Sequence, residues 1–163
     1  MARVFDFPNP VNEVAARVVA TGAVALGATY LLTRSPLVLA VMAYGFLARV
    51  ATGPRLSPLG RLASQVVAPR LAAPRLVPGP PKRFAQGIGA TLTTAALAAH
   101  LLGAGGVAAA LVGAVVAAAT LEAALGFCLG CRIFALLMRA GIIPADVCEA
   151  CNNLQLRDAP VAA

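Results

Sequence analysis

Four long apolar stretches, separated by short polar breaks, constrain the fold of this chain more than any other feature. They run over 14–32, 37–51, 84–102 and 107–125. Their only charged residues are Arg17, Arg49 and Glu122. A transmembrane helix needs about 20 predominantly apolar residues to cross about 30 Å of hydrocarbon. The chain is 60% hydrophobic and 12% charged, whereas soluble domains have roughly 45–50% apolar and about 25% charged residues. The sequence therefore predicts an all-α polytopic membrane protein with a four-helix transmembrane bundle.

The breaks between the stretches predict how the helices are connected. The turns "TRSP" (33–36) and "GAGG" (103–106) each join two stretches into a helical hairpin. A proline-rich loop over 52–83 joins the two hairpins, so that 1–125 forms one bundle. Within this loop, 57–71 is predicted to form a short amphipathic helix that lies at the membrane interface.

The second stretch, 37–51, is shorter than the other three and ends close to a charge. It crosses the bilayer only if the Arg49 side chain extends to the interface, or if the bilayer thins locally. A re-entrant segment is the alternative.

The distribution of charge predicts the orientation. The net charge is +7, and seven of the 13 basic residues lie between Arg49 and Arg83, where there is no acidic residue. No aromatic residues alternate with them as a base-stacking surface requires, which argues against nucleic acid as a partner. Cytoplasmic loops of membrane proteins carry excess Lys and Arg. We therefore expect a multi-pass protein of the cell membrane, with both termini and the loop in the cytoplasm and the lipid bilayer as its partner.

All four cysteines lie in the C-terminal segment, 126–163. They are Cys128, Cys131, Cys148 and Cys151, in the pattern C-x2-C-x16-C-x2-C. This spacing is typical of tetrahedral zinc sites, in which two CxxC turns supply four thiolates to one metal ion. The same two pairs are equally suited to redox chemistry as dithiols, disulfides or persulfides. A static disulfide framework fits poorly, because cytoplasmic thiols are kept reduced.

The surroundings of the two pairs differ. Gly126 and Gly130 interrupt the helix around the first pair, and the following residues, "RIFALLMRAG", predict a new short helix. A helix N-terminus and the adjacent Arg132 both favour thiolate, so Cys128 and Cys131 are expected to attack. Glu149 and Asp146 disfavour thiolate at the second pair. Cys148 and Cys151 are therefore expected to resolve the exchange.

Four further polar residues belong to or border the apolar stretches. Glu122 precedes Cys128 by about a turn and a half, and an intramembrane acid is a candidate functional residue. We expect it to reach the interface or to pair with Arg17 or Arg132. Glu13 and Arg17 are four residues apart and are expected to pair on one helix face. His100 is expected to be an interfacial residue at the opposite end of the bundle.

Two segments of the sequence resemble a known family. With the four-span body between them, "NPVNEVAAR" near the start and "LEAALGFCLGCRIF" after the last span resemble the bacterial membrane family called domain of unknown function 4395. The most specific part is Glu122 followed by the glycine and cysteine run. The resemblance implies an association with thioredoxin-like and rhodanese-type sulfurtransferase proteins, and hence thiol or sulfur handling.

These observations leave three functions open. The first is dithiol–disulfide or persulfide exchange with a soluble thioredoxin-like or sulfurtransferase-like partner. The second is a non-enzymatic membrane protein whose four cysteines hold a structural zinc ion. The third is a small transporter of a sulfur compound, with Glu122 lining its path.

Overall fold

The computed structural model of the chain describes residues 7–148. Its elements, in chain order, are β1 (Val11–Asn12), α1 (Glu13–Thr33), α2 (Pro36–Thr52), α3 (Pro58–Leu62), a π-helical turn (Ala63–Val67), α4 (Ala68–Leu71), β2 (Leu76–Val77), α5 (Gly79–Leu101), α6 (Gly105–Leu125), α7 (Leu129–Arg139) and a 3₁₀ turn (Ala145–Cys148). The two short strands pair antiparallel, with Val11 opposite Val77. The described chain is therefore mostly helical, which confirms the all-α class.

Each predicted apolar stretch lies in one long helix. The helix α5 begins earlier than predicted, at Gly79, because prolines suit the first turn of a helix, where no intrahelical donor is needed. The predicted loop helix over 57–71 is present as α3, the π-helical turn and α4, and Ser57 caps it by accepting from the Gly60 N–H. Within the described residues, α1 and α6 are long and apolar enough to cross a membrane, while α2 is apolar but shorter.

The four long helices pack into one bundle. The most extensive helix pairs are α2 with α5, α1 with α6, and α5 with α6. Their shared core contains Tyr30, Leu39, Met42 and Val112, each at most 1% exposed. At one end of the bundle the Tyr30 hydroxyl and His100 Nδ1 are hydrogen-bonded at 3.0 Å. The single histidine is thus tied to the core helix α1.

The predicted pairing of Glu13 with Arg17 in α1 is wrong. Glu13 pairs with Arg75 of the loop at 3.1 Å rather than with Arg17. Arg17 instead donates three hydrogen bonds of 2.9–3.1 Å to the carbonyls of Ala123 and Ala124. The last carbonyls of a helix lack intrahelical donors, so the guanidinium satisfies the C-terminal end of α6. Packing of α1 on α6 therefore decides the partner of Arg17.

The Arg49 side chain does not extend outward, which was one of the two conditions under which 37–51 was expected to cross the bilayer. Its side chain is folded inward, and the residue is only 6% exposed. The guanidinium donates to Gln86 Oε1 at 2.9 Å and to Ser57 Oγ at 3.2 Å. It also lies 4.5 Å from the centre of the Phe46 ring. These internal partners compensate part of its desolvation and hold the end of α2 against α5.

The short helix α7 folds back onto the start of α5. Phe134 packs edge-to-face on Phe84, with ring centroids 5.6 Å apart. At Gly130 a Cβ atom would lie 2.6 Å from the Cα of Ala85. Only glycine lets the two backbones approach this closely, so Gly130 sets the position of α7.

We expect Gly130→Ala to destabilise the protein by about 1–3 kcal/mol, because the added methyl group overpacks a backbone contact. Gly113→Ala is the matched control, since a Cβ atom at Gly113 meets nothing within 4 Å. Thermal unfolding of the detergent-solubilised chain, followed by circular dichroism, compares the two variants. Equal melting temperatures for Gly130→Ala and Gly113→Ala would contradict the assignment.

Candidate functional site

The first cysteine pair lies where α6 ends and α7 begins. Gly126 terminates α6 in the left-handed region, with φ of 68°, and turns the chain. Cys128 is the N-cap of α7, and its Sγ accepts a hydrogen bond from the backbone N–H of Cys131 at 3.4 Å. The two sulfurs lie 2.7 Å apart. The structure thus confirms that the pair lies at the start of a short helix.

The pKa values of the two thiols are shifted in opposite directions. The pKa of Cys128 is lowered, chiefly because the Cys131 thiol donates a hydrogen bond to its sulfur; the Lys82 ammonium adds to this, and burial and Glu122 oppose it. The pKa of Cys131 is raised by that same hydrogen bond and by burial. Cys128 therefore favours the thiolate, in the direction expected for it, whereas Cys131, which was also expected to favour the thiolate, favours the protonated thiol.

A buried ion pair lies directly behind the cysteines. Lys82 Nζ is 2.5 Å from Glu122 Oε1, and the two side chains are only 10% and 16% exposed. The prediction that Glu122 pairs with Arg17 or Arg132 is wrong. The ion pair joins the start of α5 to the end of α6. Both of its charges act on the Cys128 thiol, with opposite signs.

Lys82 was not predicted as a site residue, because it is one of the seven basic residues whose charge was explained by the orientation of the loop. One signal was available: Lys82 is the single lysine among 13 basic residues. It also directly precedes an apolar stretch. A lysine ammonium is a compact charge that can be buried against one carboxylate, whereas arginine requires several acceptors.

Arg132, expected to activate the thiols, lies over the Phe127 ring with its guanidinium carbon 5.2 Å from the ring centre. It is exposed. Lys82, rather than Arg132, is the cation that lowers the pKa of Cys128. Arg132 borders the opening in front of the pair instead.

Two spaces meet at Cys128. On the loop side is a cleft of about 490 Å³, which both cysteines line together with Lys82, Arg132 and Arg139. On the bundle side is a mostly apolar cavity of about 100 Å³, which reaches Glu122 and Phe46. The Cys128 sulfur is therefore placed between a cationic cleft and the interior of the bundle.

The second pair is only partly within the described residues. Cys148 is buried and disulfide-bonded, and Cys151 lies outside the described residues. Between residues 7 and 148, no three His, Cys, Asp or Glu side chains are grouped closely enough to hold a metal ion.

The fold is a bundle of long helices. Its site is a pair of neighbouring thiols that follows the end of α6 and lies beside a buried ion pair. The chain belongs to the family described as domain of unknown function (DUF4395), whose sequence model matches residues 11–139. This match confirms the resemblance. The matched region contains Lys82, Glu122 and the first cysteine pair, and it ends before Cys148. A search of curated proteins finds no match, and neither does a search of solved structures.

The two charges of the ion pair should change the pKa of Cys128 in opposite directions. Lys82→Gln removes a positive charge near Cys128 and should raise its pKa, so alkylation at pH 7 should slow. Glu122→Gln removes a negative charge and should speed alkylation at the same pH. The measurement is the rate of iodoacetamide modification of Cys128 from pH 5 to 10, with the modified peptide identified by mass spectrometry. In the native chain the midpoint should lie below the value of about 8.5 for an ordinary thiol.

Arg132→Gln is the matched control for Lys82→Gln, because it removes one positive charge from the exposed side of the same cleft. Breaking a buried pair costs about 3–5 kcal/mol, so each variant is first tested for folding, and Lys82→Gln/Glu122→Gln removes both charges together. A larger effect of Arg132→Gln than of Lys82→Gln would contradict the proposed origin of the acidity.

Proposed function

We propose that this chain is a multi-pass integral membrane protein whose four long helices all cross the bilayer, over 14–32, 37–51, 84–102 and 107–125, with the bilayer thinned locally around the short second span. The support is the outer surface of the bundle. Large apolar side chains are exposed along α2, at Val41, Tyr44 and Leu47, each at least 50% exposed. A soluble monomer rarely exposes a contiguous apolar surface of this kind. The lipid bilayer is the environment that covers such a surface.

The proposed orientation places both termini and the basic loop in the cytoplasm. Its support is that the two hairpin turns lie together at one end of the bundle, since Arg34 donates to the carbonyl of Gly105 at 3.2 Å. Lys82 and Cys128 lie near the helix ends that face the loop. The positive residues of the loop thus lie on the same side as the thiol pair, as the positive-inside rule favours.

The orientation is tested by two single-cysteine variants of a cysteine-free chain. Ser35→Cys lies in a hairpin turn, and Leu56→Cys lies in the loop, where Leu56 is 49% exposed. A membrane-impermeant maleimide applied to intact cells should label Ser35→Cys and should label Leu56→Cys only after lysis. The reverse pattern would overturn the orientation.

We further propose that the protein handles thiols or sulfur through Cys128 and Cys131, in exchange with a cytoplasmic thioredoxin-like or sulfurtransferase-like protein. One observation carries this proposal: an acidic thiol at a helix N-terminus lies 2.7 Å from a second thiol, beside a cleft of about 490 Å³. An attacking thiol of lowered pKa next to a resolving thiol is typical of disulfide exchange.

The proposed exchange balances without a further reactant. The Cys128 thiolate attacks a disulfide of the partner, forms a mixed disulfide and releases one partner thiolate. Cys131 then attacks the Cys128 sulfur, and the second partner thiolate leaves; the partner takes up the protons of the two cysteines. The partner is reduced by two electrons, and Cys128 and Cys131 are left as a disulfide. With a persulfide donor, the Cys128 thiolate takes the terminal sulfur and releases the donor thiolate. Cys148 and Cys151 are proposed to relay electrons to or from the first pair.

Cys131→Ser is expected to trap the mixed disulfide, because Cys128 can still attack but the neighbouring thiol that would release the partner has been removed. Detergent-solubilised protein is mixed with an oxidised thioredoxin-type protein, and the covalent adduct is measured on a non-reducing gel. Cys128→Ser should form no adduct and is the matched control. Equal trapping by Cys128→Ser and Cys131→Ser would contradict the assigned roles. One zinc ion per purified chain, lost when any single cysteine becomes serine, would overturn thiol exchange in favour of a structural metal site.

A further inference from the structure

A third cavity, separate from the two at Cys128, lies beneath the N-terminal segment. Its volume is about 240 Å³, and its polar lining comes from Asn12, Arg49, Ser64, Lys82 and Gln86. Two of these residues are cations, and none is acidic. The rest of the wall is largely apolar and includes Val19 of α1 and Phe7 of the N-terminal segment.

The guanidinium of Arg49 is buried without a carboxylate. Its residue is 6% exposed, and its hydrogen bonds go to the neutral side chains of Gln86 and Ser57. In the part of the chain that the structure describes, the ion pairs are Arg75 with Glu13 and Lys82 with Glu122. A guanidinium has five N–H donors in a planar fork, and a buried cation is costly unless a negative charge compensates it. Arg49 therefore has no anionic partner among the described residues, and a bound anion would compensate its charge.

The roof of this cavity is built from several fixed contacts. The segment that precedes α1 pairs as β1 with β2. Asn9 Oδ1 accepts a hydrogen bond from the Gly79 N–H at 3.0 Å, and a Cβ atom at Gly79 would lie 2.5 Å from the Pro8 carbonyl oxygen. The N-terminal segment is therefore held closely over the space in front of Arg49. The mostly apolar wall lowers the local dielectric constant and so strengthens the attraction between buried cations and an anion.

We propose that this cavity is a binding site for an oxyanion group, a phosphate or a sulfate, held chiefly by the Arg49 guanidinium; the Lys82 ammonium, which stays paired with Glu122, also lines the site. Tetrahedral oxyanions match the bidentate geometry of a guanidinium fork. The cavity is larger than a bare oxyanion, and its apolar wall suits an organic substituent on the same group. The group comes either as the free ion or as the phosphate of a lipid headgroup. The proposal does not depend on the cysteines.

The test uses the full chain in detergent, with inorganic phosphate and sulfate as probes at constant ionic strength. Phosphate should raise the melting temperature of the native chain and of Arg61→Gln, which removes one positive charge from an exposed position in the same loop. Arg49→Gln should weaken phosphate binding, measured by calorimetry, by at least about tenfold, the loss expected for one charge-assisted contact. Cys128→Ser/Cys131→Ser should behave as the native chain does.

Gln86→Glu keeps the test decisive if Arg49→Gln does not fold. The new carboxylate lies on a position that already accepts from the Arg49 guanidinium at 2.9 Å, so it supplies the missing negative charge internally. This variant should melt at a higher temperature than the native chain and should no longer respond to phosphate. A phosphate response of Gln86→Glu equal to that of the native chain would overturn the proposal.

Native mass spectrometry separates the two sources of the group. A phospholipid that co-purifies with the native chain and is absent from Gln86→Glu, with no response to free phosphate or sulfate, would assign the site to a lipid headgroup. A response to the free ions in lipid-depleted protein would assign it to a soluble oxyanion. If the native chain neither responds to the ions nor retains a phospholipid that Gln86→Glu lacks, the proposal is wrong.

Discussion

The buried ion pair between Lys82 and Glu122 is the interaction on which the arrangement of the thiol site depends. It joins the first turn of α5 to the last turn of α6 at 2.5 Å, at the point where the chain turns into α7. Neither charge is well solvated, so each requires the other, and removing one alone costs about 3–5 kcal/mol. The pair therefore fixes the two helix ends relative to each other. It also sets the electrostatic environment of Cys128, since the ammonium favours the thiolate and the carboxylate opposes it.

Other charged side chains at the loop-facing end of the bundle also have specific partners. Arg17 satisfies the last carbonyls of α6, Arg75 pairs with Glu13, and Arg49 is held by neutral acceptors and an aromatic ring. Each basic side chain thus connects two elements that are distant in sequence. The positive charge of the loop, which predicts its side of the membrane, also organises the packing of that end. A charge that serves orientation and packing together is harder to replace than one that serves orientation alone.

Features that depend on local sequence could be predicted, and features that depend on packing could not. Apolar runs and glycine or proline breaks act within a few residues, so the four long helices, the loop helix and a short helix near the first cysteine pair all follow from the sequence. The partner of Glu122 lies 40 residues away on α5. It becomes identifiable only once α5 is known to pack on α6. The inward position of Arg49 likewise depends on Gln86, a residue of another helix. Most of the wrong predictions concern the partner of a long charged side chain, which can reach several alternatives from one backbone position.

The two cysteine pairs differ in their relation to the family match and in their surroundings. The family match covers residues 11–139, so it includes the first pair with its ion pair and ends before the second. The first pair has within itself an acidic thiol, a protonated thiol 2.7 Å away and a charge environment that distinguishes them. These are the parts that a complete thiol exchange requires. Under the proposed exchange, the second pair is an addition to a unit that needs no further thiol. The zinc-like spacing of the four cysteines would then reflect a relay placed after an exchange site rather than four ligands of one metal ion.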